Sequence, residues 1–289
     1  MITVFGLLIV LVAVLISYRM EHGNILFLAQ FPEIILICGA ALGGFIAASP
    51  RRVRRSVFVG MREILVGKQY SKADYLECLC LLGEVFYVAH KNGYIALEQD
   101  LSVPEESSIF IKYPGILKRR YVLLFIIDTF KTLEASNISP SDMEQLLYME
   151  LEMRHECSVV PARSVGSVAD SLPGLGIVAA VLGVIITMGK MNEKPDVIGR
   201  SIAVALIGTL LGVLLSYGFV GPLSRHLEHM ADEEKEFLNT VKVAIIAFVS
   251  GMLPRVAIEF GRRLIPEDMR PSFEELELAF DTVKKSSTR

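Results

Sequence analysis

The sequence predicts an all-α, polytopic membrane protein with four transmembrane helices and a helical cytoplasmic head. Three observations carry that expectation. Hydrophobic residues make up 52% of the 289 residues, and mean hydropathy is +0.49, above the usual soluble range. The charged fraction is an ordinary 21% with a net charge of −3, so the apolar excess must be concentrated in blocks. Those blocks are present as four long runs, and a dense basic cluster follows the second. The same numbers disfavour a disordered chain and a nucleic-acid footprint. Four cysteines, Cys38, Cys78, Cys80 and Cys157, form no paired framework and fit a reducing compartment.

The first run, residues 1–18, carries no charged side chain and spans about 27 Å as a helix, close to the hydrocarbon thickness of about 30 Å. It lacks a charged start and a small-residue cleavage site, so it reads as an uncleaved helix. The second, residues 32–49, has one charge, Glu33, placed where a carboxylate is expected to reach the interface. The third and fourth, residues 172–189 and 201–223, are separated by a polar stretch with Lys190, Glu193, Lys194, Asp196 and Arg200. A fifth apolar stretch, Val243–Leu253, is too short to cross and predicts a buried or interfacial helix.

Orientation follows from Arg51, Arg52, Arg54, Arg55, Arg62 and Lys68, since positive charge beside a short membrane flank marks the cytoplasm. Both termini, residues 50–171 and residues 224–289 are then cytoplasmic. Within 50–171, Tyr75, Leu79, Leu82, Phe86 and Ala89 recur at helical spacing and predict a helix over 71–92, ended by Asn92-Gly93. Pro104 and Tyr113-Pro114-Gly115 mark turns, a second helix fits Ile116–Ala135, and Ser139-Pro140-Ser141-Asp142 caps a long helix leading to the third span.

No motif carries enzymatic chemistry. Gly174-x-Gly176-x-x-Ala179 imitates a dinucleotide fingerprint, but it opens an apolar helix with no preceding strand, and close helix packing explains it better. His226-Leu-Glu-His229 and Glu152-Met-Arg-His155 have metal-ligand spacing without the further ligands such sites need, so solvated helix faces are the simpler reading and no metal is expected. Cys78 and Cys80 point about 200° apart on a helix, which suits buried packing. No cofactor is implied.

Inside the spans the polar content is mild. Gly39/Gly43, Ala40/Gly44 and Gly208/Gly212 form small-xxx-small pairs that serve packing within a chain or between subunits. No Asp, Glu, Lys or Arg lies mid-span, although ion-coupled membrane proteins place an ionisable group on the pathway. Thr209, Ser216 and Tyr217 fall on one expected face of the fourth span, and Ala180, Gly183 and Thr187 on one of the third. Such faces suit a partner helix that brings the missing carboxylate, or a Thr209 hydroxyl bonded to its own backbone. Pro173 and Pro222, each near the inner end of a span, suit hinges or static kinks.

Asp170–Gly189 (DSLPGLGIVAAVLGVIITMG), Gly208–Leu223 (GTLLGVLLSYGFVGPL), Ala96–Asp100 (ALEQD), Val256–Arg263 (VAIEFGRR) and Arg270–Glu277 (RPSFEELE) together resemble the MotA family, the A subunit of the bacterial flagellar stator. The resemblance implies a pentamer around a MotB dimer, whose membrane helix supplies the proton-carrying Asp and whose outer domain holds peptidoglycan. It also implies that proton passage turns the ring and that the cytoplasmic heads push the rotor protein FliG. By the same resemblance, Pro173 and Pro222 match conformational prolines, and Thr209 and Tyr217 match polar residues near the ion path. Sodium-driven relatives carry a hydroxyl at the position of Ala180, so alanine implies proton coupling. At the rotor contact Glu98 matches the acidic residue, while the basic position falls on His90, with Lys91 adjacent. The competing expectation is an energiser of the ExbB and TolQ type.

Overall fold

The computed structural model describes residues 2–28, 30–67, 70–136 and 138–286. Among them there is no strand, as the helical periodicities and the scarcity of alternating patterns require. Met1 and Lys68, used above for the first span and the basic cluster, lie outside the described residues.

The first helix, α1 (Ile2–Met20), is apolar on every side, which makes it a membrane span rather than a surface helix. A single turn, α2 (Ile25–Leu28), occupies part of the expected loop. Pro32 opens α3 (Phe31–Ala48) from its first turn, where its missing N–H costs nothing. The basic cluster forms an amphipathic helix, α4 (Arg51–Val66), closed by Gly67 at φ 73°, a left-handed conformation that glycine adopts without a Cβ clash.

The expected cytoplasmic helices follow. In α5 (Lys72–Asn92) Ser71 and Asp74 form a reciprocal capping box, and Gly93 ends the helix at φ 81°. After a 3₁₀ turn at Tyr94–Leu97 comes the short α6 (Glu98–Ser102). The sequence expectation of one helix over Ile116–Ala135 is corrected: α7 (Pro114–Lys118) and α8 (Arg120–Ala135) are separated at Arg119, whose backbone is non-helical at φ −90°, ψ 69°. The reason is tertiary: the Arg119 guanidinium reaches Asp74 at 2.9 Å and stacks 4.0 Å from the Tyr70 ring, contacts worth more than one uninterrupted turn.

Ser139 caps α9 (Pro140–Met188) through the Asp142 amide at 3.1 Å. This one helix contains the third apolar run and keeps both Pro161 and Pro173 in its interior. Pro195 starts α10 (Pro195–Leu214), earlier than the apolar run alone suggests. A π-helical turn at Leu215–Val220 leads into α11 (Gly221–Val249), and α12 (Pro254–Leu264) and α13 (Phe273–Ser286) complete the chain. Four of the helical stretches are long and apolar enough to cross a membrane: Thr3–Met20, Phe31–Ala48, Pro140–Met188 and the continuous Pro195–Val249.

The chain divides into two compact units, Met1–Lys68 with Ser158–Ala231, and Gln69–Cys157 with Asp232–Arg289. The second has a conventional apolar core built from α5, α8, α11 and α12. There Phe86, Phe130 and Phe237 are fully buried, and Phe86 stacks on Phe248 at 4.5 Å. The Val243–Leu253 stretch lies in that core, with Ala244 and Ile245 fully buried. Cys78 and Cys80 are buried with it; burial pushes both thiols up, Cys80 to about 12 with help from Glu84 and Glu77, so neither is nucleophilic near neutral pH. The first unit has little core of its own. Two small clusters are buried in it, Ile37, Ala41, Leu172 and Ala179 in one and Ile64, Ala162, Val165 and Leu227 in the other, while many of its large apolar side chains are exposed, as a surface in contact with lipid would be.

Candidate ion-path site

The site is built where α9 and α10 approach most closely. Glycine makes that approach possible. A Cβ on Gly212 would lie 2.6 Å from the Leu172 carbonyl oxygen and 2.8 Å from Cα of Gly176, and one on Gly176 would lie 2.8 Å from the Gly208 carbonyl oxygen. One Cβ on Gly183 would sit 2.6 Å from that of Ala205. The two backbones therefore touch along Gly176/Gly212, Ala179/Gly208 and Gly183/Ala205, the packing that small residues permit when lipid offers no hydrophobic driving force. The Gly208/Gly212 pair serves this contact inside the chain. Gly39, Gly43 and Gly44 behave differently, because nothing lies within 4 Å of any Cβ position there.

Ala180 and Thr209 are brought together by this contact: the Gly208 Cβ position is 3.2 Å from the Ala180 amide nitrogen, and Thr209 is the next residue. Both side chains are half-buried. Thr187 spends its hydroxyl on the Gly183 carbonyl at 2.8 Å. Thr209 does not bond back to its own helix; among the described residues its hydroxyl has no hydrogen-bond partner, so it remains available to a ligand or another chain.

The expected stripe of Thr209, Ser216 and Tyr217 is not one face. Ser216 is 2% exposed and Tyr217 74%. The π-helical turn that contains both explains the departure, since its wider i→i+5 ladder breaks the 3.6-residue register assumed from α-helical spacing. Pro222 follows that turn after a single residue, Gly221. A proline has no N–H to give to the Gly218 carbonyl and its ring crowds that oxygen; the Gly221 N–H bonds back to the Ser216 carbonyl, five residues away, and opens the helix there. Pro173 causes no comparable break, as α9 continues through it.

Sequence reasoning missed Glu33. Beyond its expected reach towards the interface, it is 9% exposed within the chain, and its Oε2 lies 3.2 Å from the Gly208 Cβ position. The signal was present: Glu33, Ile37 and Ala41 are spaced by four and form the buried stripe of α3, so the first member points where the other two do.

In the second unit, His90, Lys91 and Glu98 are all exposed. His90 and Lys91 occupy the last turn of α5, and Glu98 begins α6 beyond the 3₁₀ turn. Exposed Tyr87 and Ile95 lie on the same segment. Glu152 and His155 are engaged in pairing across α9 and α11, Glu152 with Lys235 at 2.8 Å and His155 with Asp232 at 3.7 Å, flanking Arg154–Glu234 at 2.9 Å. The two resemblance motifs near the C-terminus are clasped. Glu259 takes Arg262 in a two-point fork at 2.6 and 2.7 Å, and Arg262 donates to the Pro271 carbonyl at 2.8 Å. Hydrogen bonds from Arg262, against the opposing effect of burial and with help from Arg263, hold the Glu259 carboxyl down to about 2.

Comparison with known proteins places the chain in a family. The model of the motility protein A N-terminal family matches residues 4–93, and that of the MotA/TolQ/ExbB proton channel family matches residues 124–240. Motility protein A of Escherichia coli is 35% identical over 284 residues, covering 98% of this chain and 96% of that one. Among solved structures, C. jejuni MotAB superposes with a TM-score of 0.77 at 17% identity, covering 94% of this chain and 98% of that chain. The flagellar MotAB stator complex of Bacillus subtilis gives 0.75 at 19%, covering 95% and 100%. With that identity sustained over nearly the full length of both sequences, the chain belongs to the motility protein A family.

Proposed function

We propose that the chain is the A subunit of a flagellar stator in the bacterial inner membrane, one of five around a MotB dimer, converting proton flow into torque on FliG. The single observation that carries this reading is the Ala180–Thr209 junction. Two closely packed spans hold an unbonded hydroxyl beside a residue without one, and neither span has a charged side chain between Asp170 and Lys190 or between Arg200 and Arg225. A proton-carrying acid on a partner helix completes that site. The open glycines of α3 suit packing against a neighbouring subunit. The basic α4 supports a cytoplasmic side for the large helical segments and both termini, and exposed His90, Lys91 and Glu98 are the residues proposed to meet the rotor there.

In this mechanism Thr209 supplies a hydroxyl to the hydrated proton path, and Ala180 withholds the second oxygen that a dehydrating sodium ion would need. Pro173 and Pro222 couple ion passage to movement of the helices that continue from α9 and α10. The driving energy is about 2.3 kcal/mol per elementary charge per 100 mV, so each proton can power only a low-barrier step.

Deletion of the gene tests the reading. Intact but motionless flagella, restored by this chain together with its MotB partner, support it; absent flagella, or intact swimming with failed outer-membrane transport, refute it in favour of an assembly factor or an ExbB-type energiser. Swimming that persists in sodium-free medium supports proton coupling, and its loss there refutes the role given to Ala180.

A further inference from the structure

Glu33 is a carboxylate buried among the apolar helices of the first unit. It sits against Gly208, eight residues and about 12 Å of helix beyond Arg200, the last charged residue before the fourth apolar run. The socket is specific: a Cβ on Gly208 would lie 3.2 Å from Glu33 Oε2, 2.8 Å from Cβ of Ala179 and 3.2 Å from the Ala180 amide. The missing side chain of Gly208 therefore leaves room for the carboxylate, which a Cβ would crowd. Glu33 is 9% exposed, and among the described residues no hydrogen-bond donor or cation pairs with it. No ion pair among the described residues reaches it; Arg200, the nearest charged residue of α10 along the chain, is eight residues from Gly208 and lies 5.0 Å from the Phe27 ring. Between Asp170 and Lys190 on α9, and between Arg200 and Arg225 through α10 and the π turn, there is no Asp, Glu, Lys, Arg or His, and Glu33 is the one charged residue of α3.

An unpaired carboxylate in such surroundings is costly as an anion and is retained where it binds a proton or an ion. Ala180 and Thr209, the junction assigned to the ion path, flank the same glycine. We propose that Glu33 is this chain's own proton-binding station on the outer half of the path, loading the partner helix's carboxylate. The transfer is balanced. The Glu33 O–H bond breaks as an O–H bond forms on the partner carboxylate, leaving Glu33 as carboxylate, and a proton from the outer water re-forms the Glu33 acid. Thr209, unbonded and one residue from the socket, is positioned to bridge the two groups directly or through water. The proposal rests on the stator reading and adds to it: the conducting acids become two in series, one from each kind of subunit.

The experiment compares single-motor rotation, in cells expressing the complete complex, at near-zero load and near stall across a range of external pH. Near zero load, proton delivery limits speed; near stall, work per proton does. Glu33→Gln should lower the near-zero-load speed several-fold while sparing stall torque, and remove the pH dependence that the wild type shows as Glu33 loses its proton with rising pH. Glu33→Asp should retain that pH dependence at reduced speed. The proposal is overturned if Glu33→Gln keeps the wild-type pH profile. It is also overturned if Glu33→Gln and Glu33→Asp lose torque equally at all loads with normal membrane levels, which marks a packing role. Failure of the parent reading is separate: rotation would then survive neutralisation of the partner's membrane carboxylate.

Discussion

Gly212→Ala tests the close approach of α9 and α10 directly. The added Cβ would stand 2.6 Å from the Leu172 carbonyl oxygen, 2.8 Å from Cα of Gly176 and 3.1 Å from its nitrogen. All three are backbone atoms and no side chain can swing away, so the helices must part by about 0.8 Å to restore ordinary contact, a gap that forfeits a quarter to a half of each dispersion contact along the seam. Overpacking of this kind costs about 1–3 kcal/mol. Gly176→Ala strains the same seam from the other side, at 2.8 Å from the Gly208 carbonyl. Once one substitution has parted the helices the second meets little resistance, so the double variant should cost clearly less than the two single costs combined. Gly199→Ala, on the same helix with nothing within 4 Å, is the internal control and should leave the seam intact. The assay is the thermal unfolding midpoint of the purified complex in detergent, with swimming as the functional readout. If Gly212→Ala melts with the wild type, or the double variant is additive, the glycine seam is not what joins these helices.

Three further outcomes follow from the second unit. Glu98→Lys should weaken torque without lowering membrane levels, and a compensating charge reversal on the rotor should restore part of it; because exposed charges are screened beyond about 8–10 Å, the deficit should shift with cytoplasmic ionic strength, and unchanged torque removes Glu98 from the contact. Glu259→Gln should lose about 1–2 kcal/mol at neutral pH, the shift from 4.5 to about 2 discounted for solvent screening. The native carboxyl is depressed, so its contribution is complete above pH 4.5 and is lost as pH falls towards 2; the difference between wild type and variant in chemical denaturation should shrink over that window, and a constant difference refutes the fork. Cys78 and Cys80, buried with raised pKa values, should resist a water-soluble maleimide at pH 7 in the folded complex and react on denaturation, while labelling in the native state contradicts the core assignment.

Much of this architecture is legible in one dimension because membrane spans and capped helices are local features. The α5 helix could be placed to within a residue from the spacing of Tyr75, Leu79, Leu82, Phe86 and Ala89 and from Asn92-Gly93, since helical periodicity and a terminating glycine act on their own few neighbours. The division at Arg119 was not legible. It depends on Asp74 and Tyr70, some 45 residues away, and no local pattern announces it. The site shows the same contrast. Ala180 and Thr209 could be singled out as mildly polar or small positions, but the stripe from Thr209 to Tyr217 presumed an unbroken α-helix that the π turn before Pro222 interrupts. For Glu33 the spacing to Ile37 and Ala41 held the answer, and the general expectation that carboxylates snorkel outranked it.

Within α10 and the turn that follows it, rigidity and compliance are assigned to different residues. From Ala205 to Gly212 the helix is held against α9 by contacts in which backbone meets backbone, so it cannot slide or rotate there without losing several at once. From Leu215 to Val220 the helix is already widened, and the proline after it prevents the ordinary α-helical bond from Pro222 to Gly218 from forming. A segment whose hydrogen-bond ladder is incomplete loses less on bending than one whose ladder is whole, so motion transmitted along this helix is absorbed in the π turn rather than at the glycine seam. The proposed ion-path junction at Ala180 and Thr209 lies in the rigid part, where its geometry is maintained, and Tyr217 lies in the compliant part. Replacing Pro222 by alanine would restore the missing donor and favour an unbroken α-helix, which is why this position, more than Pro173 within the continuous α9, is the one at which a stiffer helix should impair coupling while leaving assembly intact.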